Sequence, residues 1–171
     1  MSKNELERMF DNLPTLSYKE KLKSVENYLI SLSIDNNNIF YDGKKTVMPE
    51  FFKYKHSFAE GVYVREMHMP KGSSGLSVVQ KYSYPFFVLT GRLATTTEEG
   101  IEELVAPVYF MSAAGGAQRL VHAIEDCIIV TVHHNPTNTK DLEELEKYLY
   151  AFSWEEYEDF VNKKTKDEKN K

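Results

Sequence analysis

The chain has 171 residues, 26 acidic against 21 basic, giving a net charge of −5, and 42% of them are hydrophobic. That composition supports one core with terminal additions, and so mild an acidity provides no long-range field for nucleic acid. No apolar run approaches the ~20 residues of a membrane span. The charged start, MSKNELERMF, lacks the apolar centre of a signal peptide. The single Cys127 allows no internal disulfide and fits a reducing compartment.

Residues 1–47 read as a helical segment. ELERMF offers Leu6, Met9 and Phe10 as a short amphipathic piece stopped at Leu13-Pro14. Ser17 and Glu20 then fit a capping box, and Leu22, Val25, Leu29 and Leu32 follow at helical spacing. The polar run Asp35–Asn38 and the turn at Asp42-Gly43 close this zone.

Residues 48–134 read as a β-domain. FFKYKHSF and GVYVREMHM alternate, RLATT and IEELV form a hairpin around TEEG, and CIIVTVHH is the strongest strand. No helical stripe interrupts them, which argues against a parallel sheet and for a sandwich, jelly roll or barrel. Residues 135–162 read as helices again. Thr139 precedes DLEELEKYLY, with Leu142, Leu145 and Leu149 on one face. Ser153 and Glu156 repeat the capping box ahead of Trp154, Tyr157, Phe160 and Val161. Residues 163–171 form a Lys-rich tail expected to be disordered.

FFVLTGRLATTTEEGIEELVAPVYFMSAAGGAQRL resembles the central part of a cupin barrel. With KHSFAEGVYVREMHMPKG before it and the segment EDCIIVTVHHNPTNTKDLEELEKYLYAFSWEEYEDF after it, the stretch from about residue 54 to residue 161 resembles cupin-domain proteins of tailed bacteriophages. The resemblance implies a mainly β fold, a cupin-type double-stranded β-helix (jelly-roll barrel) with N- and C-terminal α-helices. It also shows where this chain departs from metal-binding cupins. Gln80 and Tyr84, with Tyr82 between them, stand where the first motif places histidines, and Arg119 takes the ligand position of the second. A guanidinium is always protonated and repels a cation, so no cofactor is expected and a metal is disfavoured. The five histidines leave one alternative, a relocated metal site from His68, His122 and His133, with His122 and His133 facing each other across successive strands.

Gln80, Tyr82, Tyr84 and Arg119, with His122 alongside, form the candidate pocket that this alignment implies. Arg supplies a bidentate fork for a carboxylate or phosphate, the tyrosines supply stacking surface, and Gln both donates and accepts. Plain filling of the barrel interior is the default alternative. Cys127 reads as a small buried hydrophobe. Ser73-Ser74-Gly75 and Gly115-Gly116 read as turns, and Glu98-Glu99 and Glu102-Glu103 as solvated carboxylates.

The resulting expectation is a non-catalytic, phage-encoded binding or assembly module. It would act as a homodimer, with a phage or host protein partner or an anionic small molecule or sugar as ligand, in the host cytoplasm or on the virion. The alternative is a cupin enzyme: a metal-dependent oxygenase, isomerase or epimerase, or a metal-free epimerase using His68 or His122 with a tyrosine. Neither a membrane nor a specific nucleic acid is expected as a partner.

Overall fold

The computed structural model describes residues 7–8, 12–13, 15–35, 52–112 and 115–169. The expectations for Leu6, Met9, Phe10, Pro14, Asn36–Asn38, Asp42 and Gly43, and for the side chains of Leu29 and Leu32, lie outside the described residues.

Helix α1 (Tyr18–Asp35) starts at the expected capping box. The Ser17 backbone N–H donates to Glu20 Oε2 at 2.8 Å, and Glu20 N–H donates back to Ser17 Oγ at 3.4 Å. Eleven strands follow: β1 (Lys53–Ala59), β2 (Gly61–Met69), β3 (Ser74–Leu76), β4 (Val79–Gln80), β5 (Tyr84–Thr90), β6 (Arg92–Thr97), β7 (Gly100–Val105), β8 (Val108–Ser112), β9 (Leu120–Ala123), β10 (Cys127–Asn135) and, after α2 (Leu142–Leu149), β11 (Tyr150–Ala151). Helix α3 (Trp154–Lys169) ends the described chain.

Two antiparallel sheets, ordered β1-β2-β10-β5-β8 and β3-β9-β6-β7, face each other as a jelly-roll barrel. The mainly β fold with flanking helices is therefore what the chain forms. Gly91 joins β5 to β6, taking the chain from one sheet to the other with φ +80. A Cβ there would lie 2.2 Å from the Asp126 carbonyl oxygen, so this corner accepts only glycine.

Strand pairing sorts the inner face of the larger sheet into rows. Tyr54, Met67, Ile129, Val88 and Val108 form an apolar row. It belongs to the main core with Phe52, Met69, Leu93, Leu104 and Ala123. The next row, His56, Arg65, Thr131, Phe86 and Phe110, mixes polar and aromatic groups. The one beyond it holds Phe58, Tyr63, His133, Tyr84 and Ser112. The barrel is thus packed with hydrocarbon at one end and lined with polar groups at the other.

The terminal helices cover different surfaces. Leu22 and Val25 of α1 pack on Leu76 and Leu120, on the outside of the four-stranded sheet. Leu145 and Leu149 of α2 pack on Tyr63 and Tyr150 over the polar end, while Leu142 is exposed. The N-cap of α2 is Asp141, whose carboxylate accepts from the N–H groups of Glu143 and Glu144; Thr139 instead bonds Glu144. Three expectations need correction. The Lys-rich tail is not irregular: α3 runs through it to Lys169, carried by the Ser153 cap and good helix formers with acid–lysine pairs four residues apart. Ser74-Gly75 lies in β3, paired to His122 and Val121, rather than in a turn. Glu103 is not simply solvated, because Arg92 Nε donates to it at 2.9 Å. No helix among the described residues is long and apolar enough to cross a membrane.

Candidate functional site

The polar end of the barrel is built around Arg65. In β2 the inward positions are Tyr63, Arg65, Met67 and Met69, because they pair with the buried alternation Cys127, Ile129, Thr131 and His133 of β10. The guanidinium lies 5.5 Å from the centre of the Tyr150 ring. It makes no hydrogen bond and no ion pair among the described residues. Arginine stays charged at any physiological pH, so an interior cation stands here without a carboxylate.

Its surroundings are aromatic. His133 stacks on Tyr84 at 4.8 Å and on Tyr63 at 5.9 Å, and meets the Tyr150 ring edge-on at 6.0 Å. His56 Nδ1 bonds the Tyr63 hydroxyl at 2.7 Å. Burial, followed by the charge of Arg65 and the neighbouring His134, pushes the His133 imidazole down to about 3. His133 is therefore neutral at pH 7, sharing a 3.0 Å hydrogen bond between Nε2 and Thr131 Oγ1. Burial also raises the phenols of Tyr54, Tyr63, Tyr84 and Tyr150, so all four stay protonated. For Tyr84 both Arg65 and Arg119 oppose that rise, which places two guanidiniums within electrostatic reach of one hydroxyl.

Arg119 comes from the loop before β9. Its guanidinium covers the Phe110 ring at 5.2 Å, and Nη1 donates to the Thr96 carbonyl at 3.2 Å. Its Nε is buried without a partner. Thr95 Oγ1 and the Tyr150 hydroxyl share that condition, while Ser112, opposite Tyr84, eases the Tyr84 phenol downward through a side-chain hydrogen bond. Unsatisfied buried polar groups each cost roughly 1–3 kcal/mol.

The five predicted pocket residues divide. Tyr84 and Arg119 line the interior as expected. Gln80 lies opposite Tyr150 in the two-stranded β4–β11 pair, so the two share one face of that pair. Tyr82 is elsewhere: it stacks on Tyr148 at 5.2 Å and meets His134 and Phe160 edge-on beneath the C-terminal helices. The short β4 ends at Gln80, and the turn before Tyr84 rotates Tyr82 outward. His122 is also elsewhere. Its neighbours Val121 and Ala123 join the main core, so His122 lies on the opposite face with Leu120, the face α1 covers, bonded to Ser74 at 2.8 Å.

The relocated histidine set is likewise not brought together. His122 and His133 belong to different sheets, and His68 is on the outer face of β2, paired with Glu66 at 2.7 Å. Neither His68 nor His122 reaches the interior as a base. Cys127 is buried, with its thiol pushed up to about 11 by burial first, which leaves it inert. Sequence reasoning missed Arg65, His133 as a pocket residue, Tyr63 and Tyr150. The available signal was the alternation Tyr63-Arg65-Met67-Met69, but Val62 and Val64 make the other phase equally apolar.

No protein-family model matches the sequence, and no curated protein matches it. Solved structures do match. A cupin superfamily protein from Desulfitobacterium hafniense aligns with TM-score 0.44 and 11% identity over 52% of this chain and 81% of that one. KdgF from Halomonas sp. aligns with TM-score 0.46 and 14% identity over 58% of this chain and 90% of that one. An acetylacetone dioxygenase from Acinetobacter johnsonii aligns with TM-score 0.42 and 16% identity over 56% of this chain and 70% of that one. The matched structures include cupins. At these identities and scores nothing of their activity passes to this chain, whose chemistry rests on its own residues.

The donor set does not suit a divalent cation. Among the described residues no three His, Cys, Asp or Glu side chains gather. The interior instead offers one neutral imidazole, protonated phenols and two guanidiniums, which would repel a metal.

Proposed function

We propose that the barrel is a non-catalytic binding module for a small anionic ligand held at its polar end. Arg65 carries this reading: a charged group in the interior, lined by aromatic rings and without an anionic partner among the described residues. Arg119 supplies a second fork, and Tyr84 and Tyr150 supply hydroxyl donors and ring surface. The test is a thermal-shift titration with a panel of carboxylates, phosphates and neutral sugars. Anions are expected to raise the melting temperature, and Arg65→Gln to remove that rise. If no anion acts, or if Arg65→Gln responds as the parent does, the reading fails.

The exposed face of β8 supports a second role, self-association. Tyr109 and Met111 are 69% and 61% exposed, Tyr109 stacks on Phe87 at 5.8 Å, and Leu89 stands on the neighbouring strand. Because β8 is the edge of its sheet, a second copy can extend the sheet while burying this apolar surface. The assembly role implied by the phage resemblance would use the same face. Light scattering is expected to show a dimer that Tyr109→Lys dissociates; a monomer at every concentration rejects this.

A further inference from the structure

The two guanidiniums flank a stretch of one row, Arg65 within it and Arg119 over its Phe110 end. Along the inner face, Arg65, Thr131, Phe86 and Phe110 are successive cross-strand neighbours. Arg65 and Phe110 are therefore three strand spacings apart, about 14 Å. Arg119 covers the Phe110 end at 5.2 Å, while Arg65 leans toward Tyr150 at the other. Between them the floor is uncharged: Thr131, Phe86, His133 and Tyr84. Neither arginine pairs with a carboxylate among the described residues.

Resting on the anion-binding reading, we propose that the ligand is a small diacid, with one carboxylate at Arg65 and the other at Arg119 across an aromatic floor. A single small anion would satisfy one guanidinium and leave the other half-buried on the inner face without a carboxylate. A diacid satisfies both, and its carbon chain or ring rests on Phe86 and Tyr84.

The test is calorimetric titration of the full chain with succinate, glutarate and adipate against butyrate, valerate and hexanoate, with inorganic phosphate as a further arm. At least one diacid is expected to bind ten-fold or more tightly than the monoacid of equal length. In both Arg65→Gln and Arg119→Gln that preference is expected to collapse toward unity, with circular dichroism confirming that each variant is folded. If a monoacid or phosphate binds as tightly as every diacid, the two-ended assignment is wrong while the anion site stands. If the preference survives in Arg119→Gln, the second anchor is wrong. If none of these acids binds, both readings fall.

Discussion

Replacing Arg65 with Met raises the stability of the ligand-free protein by about 1–3 kcal/mol and abolishes anion binding. The residue stands on the inner face of β2, with its charge partly withdrawn from water and no anion returned to it among the described residues. Moving a charge from water into an interior costs several kcal/mol per ion after relaxation, and a partner of opposite sign normally offsets this. A ring at 5.5 Å returns only part of it. Methionine keeps the length of the stem and drops the charge, and the neighbouring Met67 and Phe86 accept a thioether readily. Urea unfolding of the parent and of Arg65→Met, each with and without diacid, reads both effects. A loss of stability in Arg65→Met would mean that the guanidinium braces the aromatic rows instead of awaiting a ligand.

Acid is expected to weaken the fold through His133. Its imidazole sits at about 3 in the folded protein, against an ordinary value near 6.5. Between those values the unfolded chain binds a proton that the folded chain refuses, so stability rises with pH. The contribution is complete above pH 6.5 and declines as pH falls toward 3, by about 5 kcal/mol in all. Burial is the main cause, with the charges of Arg65 and His134 adding to it. His56, lowered by burial and then by Arg65, acts in the same direction from a more exposed position. Urea midpoints at pH 8, 6, 5 and 4 should fall steeply for the parent and more gently for His133→Phe. Parallel profiles would reject the assignment. A bound diacid would supply the negative charge that Arg65 lacks, so ligand is expected to flatten the parent's profile.

The fold was legible wherever one local rule had no competitor. The Ser17–Glu20 box sits at the start of α1 as read, because a hydroxyl and a carboxylate three residues apart leave the backbone few other options. The strand CIIVTVHH is β10 because its β-branched alternation has no helical counterpart. The Lys-rich end was misread because charge was taken as disorder, while helix propensity after a good cap needs no buried face. The site was legible only in part. Tyr84 and Arg119 followed from the resemblance. His122 was misplaced because LVHA is apolar in both phases, and only pairing with β3 and β6 fixes which face turns inward. Arg65 was hidden by its neighbour: Arg65-Glu66 reads as an exposed ion pair, yet in a strand the two point to opposite faces.

The pairing of Gln80 with Tyr150 also bears on the order of synthesis. Every residue of the barrel's two sheets precedes residue 136, whereas Tyr150 and the leucines over Tyr63 are translated after them. A nascent or clipped chain that stops before α2 keeps every paired row of the two sheets and both arginines, but lacks the Tyr150 ring that lies 5.5 Å from Arg65. The Arg65 guanidinium is then more open to water, where charged pairs hold weakly. The anion binding proposed for this site therefore depends on residues that follow the barrel, and a chain lacking them is expected to bind anions more weakly.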